Sequence, residues 1–194
     1  DIIDLKGERF FELYNGHPAV NNYGDSLHPG MEEMWDKINI AYLKRGQPMM
    51  YGLATDDSHN YHQFGKAFAN SGRGWVMVKA NALTPAALIE ALEAGSFYAS
   101  TGVTLKDVSY KNHTLTVSIK PEPGVVYTID FIGVLKGTDK SSVLKTVKGT
   151  TASFKVTQKY LFLRARITST KKKENPYQEN DVEMAWTQPV EFRE

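Results

Sequence analysis

Two aspartates and two histidines crowd into Asp56-Asp57-Ser58-His59-Asn60-Tyr61-His62, directly after the apolar run Leu53-Ala54-Thr55. Carboxylate oxygen and neutral imidazole nitrogen are donors that suit zinc, manganese or iron. A strand end can aim side chains into a cleft, and Asp57 and His59, two residues apart, share one face if the strand persists. They are the candidate metal ligands. Asp56 then points to the opposite face, with a supporting or structural role. A catalytic centre takes about three protein ligands per ion, so the pair is part of a site. Asp-Asp-Ser also has the chemistry of a helix cap, accepting from first-turn amides, and the two uses are compatible.

Other residues could join this pair. His62 lies one helical turn past His59 and could reach a phosphate or a metal, or be a partly buried, hydrogen-bonded histidine. In Asn15-Gly16-His17-Pro18, Asn15 and His17 follow a strand, and His17 could line the same mouth. Glu12 alternates with aromatic neighbours, where a buried carboxylate needs a partner. His28, before Pro29, reads as a helix-entry residue, and His113, in Lys111-Asn112-His113-Thr114, as a turn.

The elements that must position these groups change character near residue 103. Upstream, Phe10 to Tyr14 reads as a strand. Pro29 to Arg45 reads as an amphipathic helix through Met31, Met34, Trp35, Ile38 and Tyr42, with Gly46 as its stop. Met49 to Thr55 and Trp75 to Ala80 read as strands, with another over 97–100. Between the last two, Thr84 caps and Pro85 opens a helix that ends at Gly95, with Leu88, Ile89 and Leu92 expected to face a core. This is α/β grammar. Downstream, period-two runs take over at Leu115, Val117 and Ile119, then Tyr127, Ile129 and Phe131, then Leu161, Leu163, Ala165 and Ile167. Turns at 121–124, 136–139 and 148–149 separate them, as in an antiparallel immunoglobulin-like β-sandwich. Lys171-Lys172-Lys173-Glu174-Asn175-Pro176 reads as a solvated hairpin tip. The expected organisation is α/β over 1–102, then all-β over 103–194. Four upstream strands are too few to close a barrel, so the first part is either a small open sheet or the tail of a larger barrel.

Composition removes several function classes. The 23 basic and 22 acidic residues nearly cancel, so nothing points to nucleic acid or an anionic membrane. No stretch approaches the roughly 20 apolar residues of a membrane span. With no cysteine, disulfides and thiolate ligands are excluded. The 41% hydrophobic content supplies a core, so the chain is expected to fold.

Phe11-Glu12-Leu13-Tyr14-Asn15-Gly16-His17-Pro18, Trp35-Asp36, Gly52-Leu53-Ala54-Thr55-Asp56-Asp57-Ser58-His59, Gly74-Trp75-Val76-Met77-Val78 and Phe97-Tyr98-Ala99-Ser100-Thr101-Gly102 together resemble the second half of a PHP (polymerase and histidinol phosphatase) domain. The nearest likeness is its CehA/McbA-like branch, and Arg164 to Thr168 with Ala185 to Pro189 resembles the β-sandwich appended there. The resemblance implies a distorted, seven-stranded, TIM-like barrel and a phosphoesterase centre of two or three zinc, manganese or iron ions, to which Asp57 and His59 contribute. The family's first motif, His-x-His, has no counterpart in these residues. The expectation is therefore a carboxyl-terminal portion, inactive alone, that acts on a small phosphorylated substrate in the intact protein. An exposed barrel edge would favour a homodimer. The alternative is a non-catalytic adaptor whose sandwich binds a polymer or protein; exposed aromatics would favour it, with Tyr160, Phe162 and Trp186 as candidates, although core packing is the fate expected of all three. An immunoglobulin-like module inclines the reading towards the periplasm or cell surface.

Overall fold

Alternating β-branched and aromatic residues become strands in the computed structural model, which describes residues 2–192. Strand accounts for 38% of the residues and helix for 14%, so the protein is mostly β, with two helices and open sheets consistent with a β-sandwich. In chain order the elements are β1 (Phe10–Asn15), α1 (Met31–Lys44), β2 (Tyr51–Thr55), β3 (Trp75–Val78), α2 (Pro85–Glu93) and β4 (Phe97–Ser100). Then follow β5 (Leu105–Lys111), β6 (Thr114–Ile119), β7 (Tyr127–Leu135), β8 (Ser142–Lys148), β9 (Thr151–Lys155), β10 (Tyr160–Lys172) and β11 (Val182–Thr187).

β1 and β2 form a parallel pair, Phe10 opposite Tyr51 and Asn15 opposite Thr55, connected through α1. An antiparallel sheet has the order β3-β4-β11-β10-β7-β8, and a third sheet the order β5-β6-β9. The larger sheet crosses residue 102, because β11 pairs with β4 through Ala185 and Ser100.

β10 has both faces covered. Leu163, Ala165 and Ile167 point into the sandwich core with Val117, Ile129 and Phe131. On the other face Phe162 packs with Ile40 of α1 and Val134. Beside it the Arg164 guanidinium donates from Nε and Nη2 to the two carboxylate oxygens of Asp36, at 2.8 Å each. Its Nη1 lies 2.6 Å from Glu32 Oε2, an approach of charges off the line of an aligned hydrogen bond. The helix that links β1 to β2 is thereby fixed to the sandwich.

Side-chain amides satisfy main-chain groups of the parallel pair. Asn22 Oδ1 accepts from the Asn15 N–H and its Nδ2 donates to the Asn15 carbonyl, at 2.8 and 2.7 Å. Gln188 does the same for Gly52 on β2, at 2.7 and 2.9 Å. These amides stand where a further strand would pair.

Several expectations change. In α2 only Ala91 is buried; Leu88 and Leu92 are half-buried and Ile89 is exposed, because the helix has little beyond β3 to pack against. Tyr160, Phe162 and Trp186, by contrast, take the core places expected of them and leave no exposed row for an adaptor surface. The lysine run is not a solvated tip throughout. β10 continues to Lys172, and Lys173 is buried, with Nζ donating to Tyr14 Oη at 2.8 Å and lying 3.4 Å from Asp181. Burial holds its pKa below the ordinary lysine value, against the pull of Asp181. No helix among the described residues is long and apolar enough to cross a membrane.

Candidate functional site

β1 and β2 run parallel and end together at Asn15 and Thr55, so the chains leaving them emerge side by side. Gly16 makes this possible: a Cβ there would stand 2.5 Å from Arg73 Cβ and 3.1 Å from Asp56 Cα. The Gly16 N–H donates to the Thr55 carbonyl at 2.9 Å, extending the pairing by one residue.

β2 stops at Thr55, and residues 56–74 form an irregular loop. Asp57 therefore does not continue a strand. Its φ is 48°, the left-handed region that aspartate tolerates better than most residues. No helix follows for Asp56, Asp57 and Ser58 to cap. Asp56 and Asp57 nonetheless diverge: Asp56 Oδ2 accepts from the Gly72 N–H at 2.7 Å and ties the ends of the loop together, whereas Asp57 turns towards β1.

Five of the residues singled out in the sequence meet there. Asp57 Oδ1 lies 3.0 Å from His59 Nε2, and Asp57 Oδ2 accepts from Asn15 Nδ2 at 3.2 Å. Asn15 Nδ2 also donates to Glu12 Oε2 at 3.0 Å, and Thr55 Oγ1 donates to Glu12 Oε1. The carboxylate of Glu12 thus has its partners, and Asn15 bridges it to Asp57. The His17 ring stands edge-on to that of His59, centroids 5.8 Å apart. Asp57 is held below the ordinary carboxylate range, first by the Asn15 hydrogen bond, then by the His59 hydrogen bond and the nearby imidazoles.

His62 is exposed further along the loop, and no hydrogen bond or ring contact links it to this group. His28 pairs with Asp25 in the segment before α1, and His113 stacks on Phe192 in the β5–β6 turn.

Arg73 supports the whole arrangement and is the residue that sequence reasoning missed. Only 1% exposed, it donates to the carbonyls of Gly16, Gly65, Phe68 and Asn175 at 2.6–3.0 Å. It binds the β1 exit, the 56–74 loop and the β10–β11 connection to one another. Its one sequence signal is Gly72-Arg73-Gly74, an arginine flanked by residues that let backbone approach closely.

A metal ion can be tested against these donors. The 3.0 Å between Asp57 Oδ1 and His59 Nε2 suits two neighbouring ligands with bonds of about 2.0–2.2 Å. Asp57 is held ionised, and both side chains are exposed, that of His59 more than that of Asp57. Glu12 has both oxygens engaged and stands behind them. The pair fits an ion as two ligands. Among the described residues no group of three or more His, Cys, Asp or Glu could hold a metal by itself.

No family model matches the chain, and no curated protein and no solved structure matches it.

Proposed function

We propose that this chain carries part of the active site of a metal-dependent phosphoesterase, with Asp57 and His59 as two of the ligands. The observation that carries the reading is their convergence at 3.0 Å beside the exit of a parallel strand pair, with Asn15 holding the carboxylate ionised. Parallel strands connected through a helix place the loops after their carboxyl ends at one mouth, the usual position of α/β active sites. On this reading β1, α1 and β2 are the part of a PHP-type domain that presents the two ligands, and donors other than these two complete the set. That completion is required by ligand number, since two donors are fewer than a catalytic ion takes.

A divalent ion bound there would supply an activated water and neutralise charge on phosphoryl oxygens. The chain's own residues do the rest. Asp57 supplies a carboxylate oxygen and His59 a ring nitrogen. Asn15 orients Asp57, and Glu12, held by Thr55, fixes Asn15. Such outer-shell support typically changes metal affinity by about 10–100-fold when removed.

Paramagnetic Mn2+ tests the reading. Added at substoichiometric amounts, it should broaden the NMR signals of Asn15, His17, Asp57 and His59 before any others. Broadening centred elsewhere, or spread over the surface carboxylates, would refute it. The adaptor reading loses its motivating feature, since Tyr160, Phe162 and Trp186 lie in the interior.

A further inference from the structure

The backbone sets which nitrogen of the His17 ring carries its proton. The main-chain N–H of His17 donates to Asn15 Oδ1 at 2.7 Å, which fixes the residue against the end of β1. Its ring Nδ1 accepts from the Ala19 N–H at 3.1 Å. A ring nitrogen that accepts a hydrogen bond has no proton, so the neutral ring carries its proton on Nε2. Nε2 then has no lone pair for a metal. Among the described residues it has no protein acceptor, and the ring stands edge-on to that of His59, centroids 5.8 Å apart.

His59 presents the opposite chemistry. Its Nε2 faces Asp57 Oδ1, and with no backbone N–H among the described residues donating to its Nδ1 the ring can carry its proton there, which leaves the Nε2 lone pair for an ion held by the pair. Two neighbouring histidines are thereby differentiated: His59 can ligate and His17 can only donate. A donor beside two metal ligands fits a ligand that brings oxygen atoms with negative charge.

We infer that His17 is a substrate-contacting residue whose Nε2–H donates to a phosphoryl oxygen of the molecule bound at Asp57 and His59. The inference rests on the phosphoesterase reading and assigns His17 to the oxyanion rather than to the metal. The same interaction would hold a phosphate ester or the phosphate it releases. Removing it should weaken oxyanion binding by about tenfold, the effect of one hydrogen bond to a charged group, and leave metal affinity unchanged.

Long-range 1H–15N NMR of the imidazoles, with Zn2+ added first and methylphosphonate second, separates the possibilities. The expected result is an Nε2–H tautomer for His17 at the outset, a shift of the His59 ring nitrogens on adding Zn2+, and a shift of His17 only on adding methylphosphonate. In calorimetry His17→Ala should bind Zn2+ like the wild type and methylphosphonate about tenfold more weakly. His17→Gln, which keeps an N–H donor, should recover part of the loss. An Nδ1–H tautomer, a His17 shift on Zn2+ alone, or methylphosphonate affinity unaltered in His17→Ala would overturn the assignment while leaving the metal site intact. If His59 does not respond to Zn2+, the phosphoesterase reading fails and the role of His17 falls with it.

Discussion

Arg164→Met removes the cation on which the junction between α1 and β10 depends. The Arg164 side chain is 2% exposed and that of Asp36 is 3% exposed, so the carboxylate left behind is shielded from water. Two aligned charge-assisted hydrogen bonds at 2.8 Å and the close approach to Glu32 disappear together. The guanidinium also lies 5.2 Å from the Trp35 ring centroid, a cation–π attraction that methionine cannot supply. Stranding one member of a buried ion pair costs about 3–5 kcal/mol. For a domain stabilised by about 5–15 kcal/mol that is a large share. Arg164→Lys keeps a charge but not the bidentate fork, and should be destabilised less than Arg164→Met. Replacing both partners, as Arg164→Met with Asp36→Leu, should restore much of the stability, because no buried charge is then left without its partner. Urea unfolding followed by Trp fluorescence and far-UV circular dichroism measures all three. The indole of Trp35 is buried beneath the pair, so its signal should move with the global transition. A destabilisation below about 1 kcal/mol for Arg164→Met, or costs that simply add in the double variant, would refute the argument.

Other outcomes follow from the same structure. Burial pushes the Glu32 carboxyl up, but the charges of Arg164 and Arg166 hold it below the ordinary glutamate value. Its contribution to stability is therefore complete above about pH 4.5 and is lost as pH falls through the depressed value, which urea midpoints measured at successive pH values will show. Gln188→Leu leaves the Gly52 N–H and carbonyl without their partner and should cost about 1–3 kcal/mol in the same assay. Asn15→Leu removes the largest influence holding Asp57 down, so an NMR titration should find that carboxyl titrating at higher pH than in the wild type.

How much of this could be read from the sequence depends on whether the signal was local. The end of β2 was legible because an apolar run gives way abruptly to Asp56-Asp57-Ser58-His59, and Thr84-Pro85 with Gly95 marked α2 through cap chemistry alone. What α2 faces was not, because helical spacing shows that a helix has an apolar side but not whether anything covers it. β10 ran to Lys172, past the point where the lysines suggested a loop, since Lys173 finds Tyr14 and Asp181 only in three dimensions. Arg73 was hidden for the same reason: its acceptors are backbone carbonyls from three separate segments, which no residue type announces. Within the site, Asp57 and His59 were identified by type and spacing on the assumption of a continuing strand. They meet instead through a left-handed turn at Asp57. The bridge through Asn15 linking Glu12 to Asp57 depends on the parallel register of β1 and β2, a long-range pairing.

Zinc titration by calorimetry on the wild type, Asp57→Asn and His59→Gln tests the central claim most directly. The account predicts a single class of Zn2+ binding in the wild type that weakens by about tenfold or more in each variant, at least the effect of losing an outer-shell partner. Zn2+ binding of unchanged strength in both variants would contradict it.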